Sequence, residues 1–302
     1  MSTVNGLPEK EFFVSGHNAC RGCGPAIAMR WIAKAAGDNT IIAQATGCME
    51  VVSTLYPYTS WKTPWIHAAF ENAAAVGSGV EAALRKLYKK DRPNVLVIGG
   101  DGSTFDIGFQ ALSGAIHRKH DFCYVCYDNE AYQNTGYQRS GATPKYALTT
   151  TTPYGKVVHG NDTWQKPLPL IIAAHGAKYV ATASVSNVVD LYKKVKKGLE
   201  ITGPAYVQVQ APCVPGWGIN PANTIRVAKL GVETGAYPLY EIESGKLKMT
   251  RKLDRLVPVK KYLELQGRFK NMSEDEVREF QSRVRYWYKY IESLEGKGKV
   301  FP

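Results

Sequence analysis

Acidic residues are scarce in this chain beside basic ones: 26 Asp and Glu stand against 38 Lys and Arg, a formal net charge of +12. Such a balance can indicate nucleic-acid binding. Here the lysines are dispersed or fall in short runs such as Lys193-Lys194, Lys196-Lys197 and Lys260-Lys261, with no RNA-binding aromatic motif and no helix-turn-helix pattern. The charge therefore reads as a solvated surface with no nucleic-acid partner, part of it free to meet a more acidic protein. Cysteine is also sparse, six in 302 residues, and Met1-Ser2-Thr3-Val4-Asn5 carries no apolar signal segment. Both features point to a reducing cytoplasm and away from a disulfide framework, and no membrane association is expected. There is no internal repeat, no low-complexity stretch and no Ser/Gly-rich linker between Cys20 and Gln210.

What is present is alternation. Strand-like runs at Thr40 to Ala45, Asn94 to Gly99, Phe122 to Tyr127, Tyr179 to Thr182 and Ala205 to Gln210 are separated by helical patterns. Those helices fall near Ala26 to Ala36, Asn72 to Tyr88, Phe105 to His117, Pro167 to His175 and Val188 to Glu200. That order predicts an α/β fold with a doubly wound, mostly parallel sheet. Residues 1–217 are taken as that domain and residues 218–302 as a polar C-terminal extension used for subunit packing. In the extension, a hairpin is expected around Ser244-Gly245. A capping-box pattern, Ser273-Glu274-Asp275-Glu276, precedes a final helix with Val277, Phe280, Val284, Trp287 and Ile291 at helical spacing.

The most informative residues follow the second of those strands. Gly100-Asp101-Gly102-Ser103-Thr104 is succeeded 28 positions after Asp101 by Asn129, in Tyr127-Asp128-Asn129-Glu130-Ala131-Tyr132-Gln133-Asn134-Thr135-Gly136. Asp101 and Asn129 then fall at the carboxyl ends of two strands, where open α/β sheets bind ligands. Glycines on either side of a carboxylate let the backbone approach a phosphate, and the two side chains offer the hard oxygens that Mg²⁺ requires. The helix beginning at Phe105 would point its positive end at the anion.

The cysteines sort by position. Cys20 and Cys23 form a C-x-x-C in a glycine-rich turn, while Cys48 and Cys213 each follow a strand-like run. Four thiolates suit either Zn²⁺ or an iron–sulfur cluster, and spacing alone does not separate them. Cys123 and Cys126 lie within a predicted strand, where residues three apart face opposite ways, and read as small buried side chains.

The GDG and Asn pairing resembles the diphosphate motif of thiamine diphosphate enzymes. With Gly47-Cys48-Met49-Glu50-Val51-Val52, Trp65-Ile66-His67-Ala68-Ala69-Phe70-Glu71-Asn72 and Pro212-Cys213-Val214-Pro215-Gly216-Trp217, the chain resembles the β subunits of pyruvate:ferredoxin oxidoreductases over roughly residues 12 to 270. The resemblance implies thiamine diphosphate with Mg²⁺ on Asp101, Asn129 and the Ala131 carbonyl, and the diphosphate on Gly100, Gly102, Ser103 and Thr104. It implies a catalytic Asn134 beside the thiazolium. It also implies one 4Fe-4S cluster on Cys20, Cys23, Cys48 and Cys213, with Cys48 nearest the thiamine. The implied activity is reversible oxidative decarboxylation of pyruvate to acetyl-CoA and CO₂, with electrons passing one at a time toward ferredoxin.

The glutamate that activates thiamine and the relay clusters are absent from this sequence. An α subunit, a γ domain or subunit and a ferredoxin-like δ subunit are therefore expected, with coenzyme A and ferredoxin as further partners. Oxalate, 2-oxoisovalerate, 2-oxoglutarate or an aryl pyruvate stand as alternative substrates, and a non-catalytic zinc-bound scaffold as the remote alternative. His17, Thr46, Met49, Glu71 and Asn72 lie close to these motifs without a fixed role.

Overall fold

Runs such as Val95-Leu96-Val97-Ile98 can be fully apolar only if both faces of their sheet are covered, and the computed structural model of the chain shows this arrangement. It describes residues 3–4 and 6–302, so the reading of Met1 to Asn5 as lacking a signal segment falls partly outside the described residues. Val95 and Val97 join one buried cluster with Tyr124 and Cys126, whereas Leu96 and Ile98 join another with Cys123 and Val125. Cys123 and Cys126 thus occupy opposite faces of one strand, both fully buried.

The chain opens with a small antiparallel pair, β1 (Thr3–Val4) and β2 (Leu7–Pro8). Then come α1 (Gly24–Ala36), β3 (Thr40–Ala45), a short α2 (Cys48–Val51), β4 (Trp65–Ala68), α3 (Ala73–Leu87) and β5 (Asn94–Gly100). A π-helical turn, Gly102–Ile107, leads into α4 (Phe109–His117), followed by β6 (Cys123–Asp128), α5 (Leu168–Ala174), β7 (Tyr179–Ser184), α6 (Val188–Glu200) and β8 (Ala205–Gln210). The remainder holds α7 (Val214–Trp217), α8 (Thr224–Glu233), β9 (Tyr240–Glu243), β10 (Lys246–Met249), α9 (Lys260–Leu263) and α10 (Glu274–Leu294).

Eight strands form one sheet in the order β10-β9-β7-β8-β6-β5-β3-β4. The six from β3 to β8 are parallel, and the β9–β10 hairpin, turning at Ser244-Gly245, adds antiparallel to β7. The expected mostly parallel, doubly wound sheet is present. Helix α10 carries the full capping box, with the Ser273 side chain accepting from Glu276 N and the Glu276 side chain accepting from Ser273 N. The sequence pattern missed β4, a four-residue edge strand with no apolar alternation, and α8. No helix among the described residues is long and apolar enough to cross a membrane.

Strand order decides what meets what. Strands β8, β6, β5 and β3 are consecutive neighbours and run the same way. Their carboxyl ends therefore bring Cys213, Asn129, Asp101 and Cys48 to one edge of the sheet, although 165 positions separate Cys48 from Cys213 in the sequence.

Candidate functional site

Asp101 is the first residue past β5 and is completely buried. Its Oδ1 accepts from Asn129 N (3.2 Å) and its Oδ2 from Ser140 Oγ (2.5 Å). Burial pushes its carboxyl up to about 7, against the hydrogen bonds from Ser140 and Asn129 that favour the charged form. One end of the Asn129 side-chain amide lies 2.7 Å from Asp101 Oδ1 and 3.0 Å from the Ala131 carbonyl. With nitrogen at that end, the amide donates to both; with oxygen there, three oxygens face one point with nothing positive between them. The second arrangement is the hard donor set that Mg²⁺ takes. Two further carboxyls, Asp128 and Glu130, are buried in the same turn, and only Glu130 has a buried cation, Arg268, against it. Burial first, then the neighbouring carboxylates, raise Asp128, and burial raises Glu130 in spite of Arg268. A divalent cation at Asp101 suits a site with this surplus of buried acid.

The turn is held from several directions. The Asn129 carbonyl accepts from Gln133 Nε2 (2.7 Å) and from Trp217 Nε1 (2.8 Å). Arg268 stacks on Trp217 at 3.8 Å from the ring centroid and pairs with Glu130, which sits at φ +62°. Thr143 Oγ1 donates to the Glu130 carbonyl (2.7 Å). Sequence reasoning gave none of these residues such a role: Glu130, Gln133 and Trp217 lie inside the quoted motifs, while Ser140 and Arg268 come from a loop and from the C-terminal segment, where no spacing links them to Asp101.

A small cleft opens over this turn, lined by Gly47, Cys48, Gly100, Asp101, Gly102, Ser103, Asn129, Ala131 and Asn134 among others. Asn134 is exposed at its edge. Thr104 is buried and turned inward, its Oγ1 donating to the Gly100 carbonyl (2.6 Å), while Ser103 Oγ donates to the Phe70 carbonyl (2.7 Å). Their hydroxyls are thus engaged with backbone, and the donors left to an anion are those of the helical turn starting at Gly102, whose first N–H groups have no partner within the turn. A Cβ on Gly102 would lie 2.6 Å from the Tyr132 ring, so no other residue fits there. Tyr132 stacks on Phe70 with ring centroids 5.6 Å apart and closes that wall of the cleft.

Of the four expected ligand cysteines, Cys48 lines the cleft. Cys23 precedes α1, Cys48 opens α2 and Cys213 precedes α7. The Cys20-Cys23 turn is pinned to the Cys213 segment by Gly24 N donating to the Pro212 carbonyl (3.1 Å), and a Cβ on Gly24 would lie 2.5 Å from that oxygen. Burial pushes the Cys23 thiol up to about 11 and those of Cys48 and Cys213 up to about 12. Each is raised further by its neighbours, Cys48 by Cys213, Cys23 and Cys20 together. Among the described residues no group of three or more His, Cys, Asp or Glu converges on a single-ion site.

The nearby residues of open role settle as follows. His17 stacks on Phe13 (5.1 Å) and its Nδ1 accepts from Ala19 N (3.4 Å). Met49 is buried, and Thr46 Oγ1 meets His67 Nε2 at 2.7 Å. Asn72 precedes α3, its Oδ1 buried without a partner, and Glu71 is exposed beside it.

A family model described as "Thiamine pyrophosphate enzyme, C-terminal TPP binding domain" matches residues 45–209. "Pyruvate synthase subunit PorB" of Methanocaldococcus jannaschii is 51% identical over 92% of this chain and 95% of its own length. The subunit of the same name from Pyrococcus furiosus is 46% identical over 94% of this chain and 95% of its own length. Among solved structures, a 2-oxoglutarate:ferredoxin oxidoreductase from Magnetococcus marinus superposes with a TM-score of 0.57 at 20% identity, covering 91% of this chain and 97% of that one, a likeness of fold. On the matched segment, the strand ends that build the cleft and the identity along nearly the whole length, this chain belongs to the thiamine pyrophosphate enzymes and, within them, to the family of the pyruvate synthase PorB subunits.

Proposed function

We propose that the cleft binds thiamine diphosphate with Mg²⁺, that Cys20, Cys23, Cys48 and Cys213 carry one 4Fe-4S cluster, and that the chain is the catalytic β subunit of a pyruvate:ferredoxin oxidoreductase. The observation that carries this reading is the convergence of Asp101 Oδ1, the Asn129 amide and the Ala131 carbonyl at 2.7 and 3.0 Å in a turn with surplus buried acid. When bound, thiamine diphosphate supplies the carbanion that attacks a 2-oxoacid carbonyl and releases CO₂, and the cluster supplies a one-electron acceptor.

The chain's own residues do the positioning. Asp101, Asn129 and Ala131 hold the metal; Gly100, Gly102 and the N–H groups from Gly102 onward hold the diphosphate, with Ser103 and Thr104 bracing the turn beneath it. Exposed at the cleft edge, Asn134 is placed to hydrogen-bond substrate, and Cys48, which lines the cleft as well as facing the other cysteines, couples the two centres. Residues 1–217 form the cofactor unit and residues 218–302 the subunit-packing extension. The activating glutamate and the onward relay come from other subunits: an α subunit, a γ domain or subunit and a ferredoxin-like δ subunit, with coenzyme A and ferredoxin completing a cytoplasmic reaction.

Pyruvate is favoured because the pyruvate synthase subunits match at 46 to 52% identity. A second reading, 2-oxoisovalerate, is favoured by the "Ketoisovalerate oxidoreductase subunit VorB" of Pyrococcus abyssi, 42% identical over 95% of this chain. Viologen reduction by the anaerobically purified assembly with coenzyme A separates them. Faster turnover with pyruvate supports the first, and faster turnover with 2-oxoisovalerate overturns it in favour of the second.

A further inference from the structure

The Asn129 backbone carbonyl carries two donors, Gln133 Nε2 (2.7 Å) and Trp217 Nε1 (2.8 Å), and one short turn beginning at Cys213 fixes both. Trp217 N donates to the Cys213 carbonyl (2.9 Å), which closes α7, and Pro215 stiffens the chain between them. The Trp217 ring is completely buried under the Arg268 guanidinium, which pairs in turn with Glu130, the neighbour of Asn129. Gly216 backs the second donor. A Cβ there would lie 1.7 Å from Gln133 Oε1, an oxygen that is buried with no hydrogen-bond partner among the described residues. Contact with Gly216 and the single bond to Asn129 therefore hold the Gln133 amide in place.

The position of Cys213 thus sets those of Gly216 and Trp217, and these set the Asn129 carbonyl. Hydrogen bonds weaken as the donor moves off line, and groups that hold a metal ligand from behind govern how well it binds. A cluster bonded to Cys213 anchors the start of α7, and its removal frees that end. We infer that Trp217 and Gln133 are positioning residues through which occupation of the cluster site at Cys213 strengthens the binding of Mg²⁺ and thiamine diphosphate at the Asn129 turn. The inference rests on the thiamine and cluster reading above and adds an order of assembly to it, cluster first and cofactor second. Linkage makes the effect reciprocal, so bound cofactor also helps to retain the cluster, and a chain that loses its cluster loosens its hold on the cofactor.

The test measures Mg²⁺-dependent binding of thiamine diphosphate by calorimetry on the cofactor-free assembly in three states: with its cluster, stripped of iron by anaerobic chelation, and reconstituted with iron and sulfide. Affinity of the native protein should fall by about 10-fold on stripping and return on reconstitution. Trp217→Phe keeps a ring and loses the Nε1 donor, so its affinity should be lower with the cluster present and should change by less than about 2-fold between the states. Gly216→Ala pushes the Gln133 amide aside without removing the indole. It should weaken the cofactor by about 10-fold with iron content unchanged, and should add nothing to the effect of Gln133→Ala. Native affinity that ignores the cluster overturns the inference, as does a fall in Trp217→Phe as large as the native one. If Trp217→Phe does not assemble, the second pair decides, and additive losses in Gly216→Ala and Gln133→Ala overturn it. An assembly that binds no thiamine diphosphate in any state, or that carries zinc, sinks the proposed function instead.

Discussion

Asp101 has no exposed surface and two hydrogen-bond donors, and this environment sets what each substitution should do. Asp101→Asn removes the one anionic oxygen of the proposed metal set and should abolish Mg²⁺-dependent retention of thiamine diphosphate, read by calorimetry on the cofactor-stripped assembly. Ser140→Ala leaves the carboxylate in place but unbraced, and should weaken Mg²⁺-dependent binding by roughly 10 to 100-fold, the effect seen when partners behind metal ligands are lost. Unchanged cofactor affinity in Asp101→Asn would remove Asp101 from the site. The motif residues were legible because Asp101 and Asn129 each follow an apolar strand closely in sequence. Ser140 was not, because it reaches Asp101 from a loop 39 positions away with no periodic pattern around it. The hydroxyls of Ser103 and Thr104 look from the sequence like anion donors, and only the turn geometry shows them committed to the Phe70 and Gly100 carbonyls.

Elements carry the next level of constraint. The tail from α9 onward reaches back to the Asn129 turn through Arg268, whose side chain is 4% exposed and pairs with an equally buried Glu130 side chain. Arg268→Met leaves that carboxylate unpaired in the interior and should cost about 3–5 kcal/mol in chemical denaturation. Adding Glu130→Gln should recover much of the loss, whereas additive losses would argue against direct coupling. At the start of α10, Ser273→Ala should cost about 1 kcal/mol by freeing the donor it caps.

The same capping box gives a pH dependence. Burial pushes Glu276 up, but the Ser273 N–H and His159 together hold it below the ordinary value of 4.5. A carboxyl depressed in the fold contributes stability above its unfolded value and loses it as pH falls through the folded one. The native chain should therefore lose more stability than Glu276→Gln on acidification below about pH 4.5, and parallel curves for the two would contradict this. The capping box was legible because it is a local four-residue pattern. Strand β4 and helix α8 were not, since a four-residue edge strand has no alternation to detect and α8 follows Pro221-Ala222-Asn223, which reads as a turn.

For the whole molecule, the parallel order β8-β6-β5-β3 gathers two chemistries on one sheet edge, the acid turn of Asp101 and Asn129 between the flanking cysteines Cys48 and Cys213. Alternation of strands and helices foretold the sheet, but not which strands would be neighbours, because β7 and β8 exchange places relative to their order in sequence. The surplus of 38 basic over 26 acidic residues is also a property of the whole. If part of it attracts an acidic ferredoxin, the second-order rate should fall as the screening length shrinks to about 10 Å near 0.1 M salt, and a flat salt profile would exclude steering.

The central claim, that this chain carries both thiamine diphosphate and a four-iron cluster, is tested most directly on the assembly purified without oxygen. Pyruvate is added without and then with an electron acceptor while the visible absorption and paramagnetic resonance of the cluster are recorded. The account expects four irons in the cluster of this chain, pyruvate-dependent reduction of that cluster, and loss of the reduction in Asp101→Asn and of the iron in Cys48→Ser. Zinc in place of iron, or a cluster whose redox state ignores every 2-oxoacid in the presence of thiamine diphosphate, would contradict it.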